Sequence, residues 1–112
     1  LVMKLKNEEV KILFTGDINK KIENFLTKKR DLSVDVLKVS HHGSKFSTSR
    51  EFLMEAAPKI SVIEVGKNSY GHPTAETLNG LASIGAQIFR TDKDGTIKFV
   101  IDGANINFWR KK

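Results

Sequence analysis

Hydrophobic and polar positions along the chain change period several times, and each change marks an element. Residues 1–6 (LVMKLK) alternate weakly, as a strand does, and residues 7–9 read as a turn into a second strand over 10–15. Gly16-Asp17 breaks that run. From Ile18 the spacing lengthens: Ile18, Ile22, Phe25 and Leu26 fall on one helical face with lysines opposite, and the helix should end near Lys29. The run 34–40 (VDVLKVS) is apolar and β-branched, which predicts a short buried strand. A loop, HHGSKFSTS, follows; its Ser47, Thr48 and Ser49 offer N-caps for a short helix over 50–57 that Pro58 stops. Residues 60–65 predict another buried strand and residues 66–72 a polar loop bounded by glycine. Pro73 suits the first turn of the next helix, whose stripe is Leu78, Leu81 and Ala82 and whose stop is Gly85. Residues 87–91 and 96–101 read as strands around a turn at 92–95. Asp102-Gly103 is the strongest hairpin signal and leads into a last strand over 104–109.

The predicted order is β-β-α-β-α-β-α-β-β-β, an α/β fold with a hairpin at each end of a crossover-linked sheet. No repeat or composition break divides it, so residues 1–112 read as a single unit. In open α/β sheets, ligands gather at the carboxyl ends of the strands. The chemically capable residues fall in loops that follow strands: Gly16-Asp17, residues 40–44 and residues 66–72.

Composition narrows the class. With 39% apolar and 29% charged residues and two prolines in 112, the chain is neither disordered nor collagen-like. Its apolar runs fall far short of the roughly 20 residues that span a bilayer. No basic-then-apolar leader opens it, so neither signal peptide nor membrane anchor is expected. A start at Leu1 rather than Met suggests a segment of a longer protein. The absence of cysteine excludes disulfides, thiolate-bound zinc and cysteine nucleophiles. A net charge of +6 and a pI near 9.7 attract polyanions such as nucleic acid, anionic lipid or teichoic acid. Much of that excess sits on Lys20, Lys21, Lys28, Lys29 and Arg30, the wet face of the first helix, and on the tail Arg110 to Lys112. Simple solvation and a polyanion partner both account for it.

Asp17 ends a strand and opens a helix, so it reads either as the helix N-cap or as a metal-ligating carboxylate with a glycine beside it. His41-His42-Gly43-Ser44 places two imidazoles in a loop of small residues. Adjacent residues in extended chain point to opposite sides, so the economical reading is one ligand and one imidazole that contacts substrate; a surface pair is the alternative. Ser44 lies beside a potential base but lacks the G-x-S-x-G turn of a serine nucleophile. In GKNSYGHP, Asn68, Tyr70 and His72 form a third group. His72 could donate to a phosphate or protonate a leaving oxygen, or the loop could be a packing loop plugged by an aromatic ring. Asp92 and Asp94 carry only fragments of a calcium loop and read as a turn.

LFTGD (13–17), LKVSHHGS (37–44), NSYGHP (68–73) and RTDKDGTI (90–97) occur in this order. Together they resemble the metallo-β-lactamase-like domain of the ComEC DNA-internalisation competence proteins, and similar stretches occur in stand-alone ComEC-like hydrolases. The resemblance covers nearly the whole chain, from Leu1 to about Ile97. It implies a four-layer αββα sandwich of two similar halves, of which this chain is the C-terminal one. It implies that Asp17 bridges two divalent metal ions (Zn or Mn), that His42, directly before a glycine, is the last ligand histidine, and that His41 is its neighbour. The remaining ligands of the family come from an H-x-H-x-D-H signature and a further histidine, which would lie ahead of Leu1. The parent would use metal-activated water to cleave phosphodiester bonds of DNA during uptake, as a soluble domain at a bacterial inner membrane. His41 and His72 would take part in catalysis, and Ser44, Asn68 and Tyr70 would contact substrate. The fragment alone, lacking half of the site, is expected to be inactive.

Two other readings compete. One is hydrolysis of a different phosphoester, such as a choline phosphate or a cyclic nucleotide. The other is a small basic nucleic-acid-binding module using the lysines of 20–30 with Tyr70 or Trp109 for stacking. Strands 34–39 and 60–65 look buried on both faces although only one layer of helices is encoded, so the isolated chain is expected to cover the bare face by forming a homo-oligomer.

Overall fold

A computed structural model describes residues 2–7 and 9–111. Leu1 of the first expected strand, Glu8 of the first turn and Lys112 of the basic tail lie outside the described residues. A five-stranded sheet runs β1 (Met3–Asn7), β2 (Val10–Phe14), β3 (Val36–Lys38), β4 (Ile60–Ile63) and β5 (Gln87–Arg90), in spatial as in chain order. The β1–β2 pair is antiparallel and the other pairs are parallel. Helices α1 (Lys20–Lys29), α2 (Arg50–Ala56) and α3 (Ala75–Ser83) make the crossovers. Because each crossover steps to the next strand with the same hand, all three helices fall on one face. The fold is mixed α/β, as the pattern of the sequence requires.

Strand register sorts the side chains. Leu13, Leu37, Ser61 and Ile88 form one row across β2–β5, and all point to the helices. There they meet Phe52, Leu53 and Ala56 of α2, Leu81 of α3 and Leu26 of α1, with Val39 and Ile63 completing the core. The alternate rows, Ile12–Val36–Ile60 and Phe14–Lys38–Val62–Phe89, point the other way.

The terminal hairpin departs from expectation. β6 (Thr96–Asp102) and β7 (Asn105–Lys111) pair with each other but not with the sheet's edge. Instead they lie over its second face, where Ile97, Phe99, Ile101 and Ile106 oppose Ile12, Phe14, Val36 and Val62 across a cleft of about 250 Å³. Phe89, fully buried, is the hinge of that contact, with Phe99 and Phe108 edge-on at 5.5 and 4.8 Å and the Arg110 guanidinium 4.8 Å above its ring. The expected turn at 92–95 is a single helical turn, α4 (Thr91–Asp94). The Asp94 carboxylate accepts from the Arg90 amide at 2.8 Å, and Arg90 holds Asp92 by two bonds of 2.8 and 3.0 Å. These bonds stop β5 and turn the chain away, so the apolar side of β6 finds its burial on the sheet's face rather than at its edge.

Several boundaries move for local reasons. α1 starts at Lys20 because Asn19, not Asp17, is its N-cap, accepting from the Ile22 amide at 3.1 Å. Ile22 and Phe25, placed by their spacing on the inner face, are 43% and 59% exposed. Glu23 is buried in their place, because its carboxylate accepts from the amides of Thr48 and Ser49. Pro73 precedes α3 rather than opening it: Thr74 is the N-cap, and the His72–Pro73 peptide is cis.

Candidate functional site

Three loops leave the carboxyl ends of β2, β3 and β4, and hydrogen bonds tie them together. The His41 amide donates to the Gly16 carbonyl at 2.9 Å, joining the second loop to the first. The Gly43 carbonyl accepts from the Thr74 amide at 3.0 Å and from the hydroxyls of Thr74 and Thr77 at 3.1 and 3.0 Å, joining the second loop to the N-terminus of α3. Gly43 has a φ of 85°, and a Cβ there would stand 2.6 Å from the Pro73 Cβ. Only glycine allows this approach.

The histidine pair is not in extended chain. His41 and His42 both take left-handed backbone angles, φ 48° and 53°, within a 3-10 turn over Ser40–Gly43. Two adjacent non-glycine residues in that region store strain of about 1–2 kcal/mol each. The turn leaves both rings exposed with centroids 6.3 Å apart, and brings His41 to 5.6 Å from His72. The premise that neighbouring side chains must diverge therefore fails: a left-handed turn presents both on the same rim.

His42 Nδ1 lies 2.6 Å from the Glu64 carbonyl. A carbonyl can only accept, so Nδ1 carries the proton, and in the neutral ring the lone pair is then on Nε2, the tautomer a metal-binding imidazole requires. Asp17 is exposed on the adjoining loop, and its carboxylate makes no hydrogen bond or ion pair among the described residues. With Asn19 serving as the cap, the N-cap reading of Asp17 is overturned.

His72 and Tyr70 stack at 5.8 Å, and a cleft of about 520 Å³ opens between them and His41, Ser44, Lys45 and Phe46. Tyr70 is 81% exposed and is no plug. Asn68 spends its amide inside its own loop, accepting from the Tyr70 and His72 amides and donating to the Gly66 and His72 carbonyls. It shapes the loop that positions His72. Ser44 is buried, and its hydroxyl accepts from the Phe46 amide at 3.2 Å. Sequence reasoning missed Glu64, whose carbonyl fixes His42, and Thr74 and Thr77, which hold Gly43. It also missed Thr91, whose hydroxyl bonds the Val65 amide and carbonyl at 2.8 and 2.9 Å and anchors the third loop. Only the signal at Thr74, a threonine just ahead of a helix, was visible in the sequence.

Imidazole and carboxylate donors of His42 and Asp17 suit a borderline divalent ion. Yet the described residues contain no group of three or more histidine, aspartate or glutamate side chains placed to hold one.

A mixed α/β unit with histidines and a free carboxylate on loops at its strand ends defines the class of protein. No protein-family model matches the chain. Similarity to individual proteins is more specific. The chain is 38% identical over 101 aligned residues to ComE operon protein 3 of Bacillus subtilis, covering 88% of this chain and 13% of that protein. It is 33% identical over 113 aligned residues to Competence protein ComA of Neisseria gonorrhoeae, covering 90% of this chain and 16% of that protein. It is 31% identical over 88 aligned residues to Recombination protein 2 of Haemophilus influenzae, covering 78% and 11%. The chain is a homologue of one short stretch of these proteins and spans less than a fifth of their length.

Proposed function

We propose that the chain is the C-terminal half of a metallo-β-lactamase-like hydrolase domain that cleaves phosphodiester bonds of DNA during uptake. One observation carries this reading: His42, its Nδ1 bonded to the Glu64 carbonyl, stands with His41, which packs on His72, in a loop whose backbone is tied to Gly16, next to the unpaired Asp17. Homology to competence proteins supports the DNA-uptake role. In this reading Asp17 and His42 hold divalent ions whose remaining ligands come from chain ahead of Leu1. Bound metal would supply activated water and stabilise charge on the phosphoryl oxygens. This chain's own part is to orient substrate and to move protons. His41 and His72 meet edge to face, 5.6 Å between ring centroids, on the wall of the cleft, so that for a phosphate seated in the cleft against both, one ring can donate to a phosphoryl oxygen and the other to the leaving oxygen.

The first check is the reading frame ahead of Leu1, which should encode H-x-H-x-D-H. In the isolated chain, calorimetry with Zn²⁺ or Mn²⁺ should show weak binding that Asp17→Ala with His42→Ala removes. A tight stoichiometric site that survives the double substitution overturns the ligand assignment. In the full-length parent the same substitutions should abolish metal-dependent nuclease activity. His41→Ala and His72→Ala should lower turnover while the metal stays bound.

A further inference from the structure

A second cleft, of about 230 Å³, lies between the loop preceding α2 and the outer side of α3, beside the histidine cleft. Lys20, Lys45 and Arg50 line it against a single carboxylate, Glu76. None of the three cations forms an ion pair among the described residues. Thr48 is part of the same wall. It is 8% exposed and held in the left-handed region at φ 61°, with its amide donated to Glu23. The flanking hydroxyls are engaged, Ser47 donating to the Ile18 carbonyl and Ser49 accepting from the Phe52 amide. The Thr48 hydroxyl is buried with no hydrogen-bond partner among the described residues. Such a group is costly unless an acceptor or donor reaches it. Lys45 also lines the histidine cleft, so the two clefts share a wall.

We propose that this second cleft is a phosphate-group site, occupied by a backbone phosphate of the same nucleic-acid strand whose neighbouring phosphodiester lies in the histidine cleft against His41 and His72. The strand assignment rests on the phosphodiester reading above; the anion site does not. Arg50 supplies a planar fork of donors and Lys20 a mobile point charge. Lys45, standing between the clefts, serves both phosphates. On binding, the Thr48 hydroxyl, sealed from solvent in the free chain, turns about χ1 to donate to a phosphoryl oxygen, the acceptor it lacks there. An anion with several acceptor oxygens satisfies all four groups at once, which a carboxylate with two does less well.

The test uses the ¹⁵N-labelled chain at low salt, titrated first with inorganic phosphate and then with a short oligothymidylate. Phosphate should shift the amides of residues 45–50 saturably, and the oligonucleotide should shift these together with the loops of His41 and His72. Lys20→Ala and Arg50→Ala should each weaken both probes by about five-fold or more, the scale of one charge-assisted contact. Thr48→Val keeps the shape and the β-branch but removes the hydroxyl. It should bind phosphate several-fold more weakly with no loss of thermal stability, because it discards an unpaired buried group. Thr48→Ser should restore binding, and Arg50→Ala carries the test if the valine variant fails to fold. No saturable shift at 45–50, or full affinity in both Thr48→Val and Arg50→Ala, overturns the site. Saturation by phosphate combined with an oligonucleotide that bypasses residues 45–50 confirms an anion site for free phosphate and overturns the strand assignment.

Discussion

Single atoms decide the rim. Gly43 carries a positive φ, sits against Pro73 and offers one carbonyl to three donors. Gly43→Ala adds a methyl at 2.6 Å from the Pro73 Cβ in a backbone region that L-residues avoid. It should cost about 2 kcal/mol or more, read as a lower urea midpoint, and should displace the His41 and His42 resonances. A midpoint equal to that of the natural chain would show that the loop does not depend on this contact. Glu23 makes a second residue-scale prediction. Burial pushes its carboxyl above the ordinary value of 4.5, outweighing the Ser49 and Thr48 amide bonds and the nearby Lys20 charge. A raised folded-state pKa means that the folded chain holds this proton more tightly than the unfolded chain. Its stabilising contribution is therefore complete below about 4.5 and is lost as pH rises through the raised value. The stability of the natural chain relative to Glu23→Gln should fall as pH rises above about 4.5. A difference that grows with pH would contradict the burial argument.

At the scale of elements, the start of α1 separates structure from chemistry. Asn19 caps the helix and Asp17 does not, although both precede it and both residue types cap well. Asn19→Ala should lower stability by about 1 kcal/mol, whereas Asp17→Ala should leave the unfolding midpoint nearly unchanged. Chemical denaturation of the two variants side by side checks this. A large loss in Asp17→Ala would return that carboxylate to a structural role. The same helix shows how one buried polar group reorients an amphipathic stripe. With Glu23 turned inward to receive the Thr48 and Ser49 amides, Ile22 and Phe25 rotate to the surface.

For the whole molecule, the question is what covers the second face of the sheet. The β6–β7 hairpin covers β2 to β5, which reduces the bare area expected from one helix layer. The edge beyond it stays open: Met3 and Leu5 of β1 share the face of Phe14 and Ile12 by register and are 48% and 45% exposed. In the proposed parent domain, the missing half would lie here. Alone, the chain should cover this edge with a second copy, sheet to sheet about a two-fold axis. Light scattering at micromolar concentration should exceed the 12.6 kDa of one chain, and Met3→Lys with Leu5→Lys should return it to that mass. A stable monomer that binds no apolar dye refutes the proposal. Among the described residues no helix is long and apolar enough to cross a membrane.

Local chemistry made most of the fold legible. β-branched runs at 34–40 and 60–65, the Asp102-Gly103 turn and the serine-rich start of α2 act over a few residues, and each element formed where its pattern lies. Residue types likewise marked the three loops, since histidines and a glycine-flanked aspartate cluster at the strand ends, although a cap for Asp17 and a surface pair for the histidines fitted the same residues. Long-range partners were not legible. That Glu64 fixes His42, that Thr77 reaches back 34 residues to Gly43, and that Glu23 holds the loop before α2 depend on which backbone groups the crossovers bring together. The hairpin shows the same limit. Its strands and turn follow from alternation and Asp-Gly, but alternation states only that one side seeks burial. Whether that side joins the sheet's edge or lies on its face was decided by the apolar pairs Ile12–Val36 and Val62–Phe89 of two neighbouring rows, which exist as a surface only after the strands have paired.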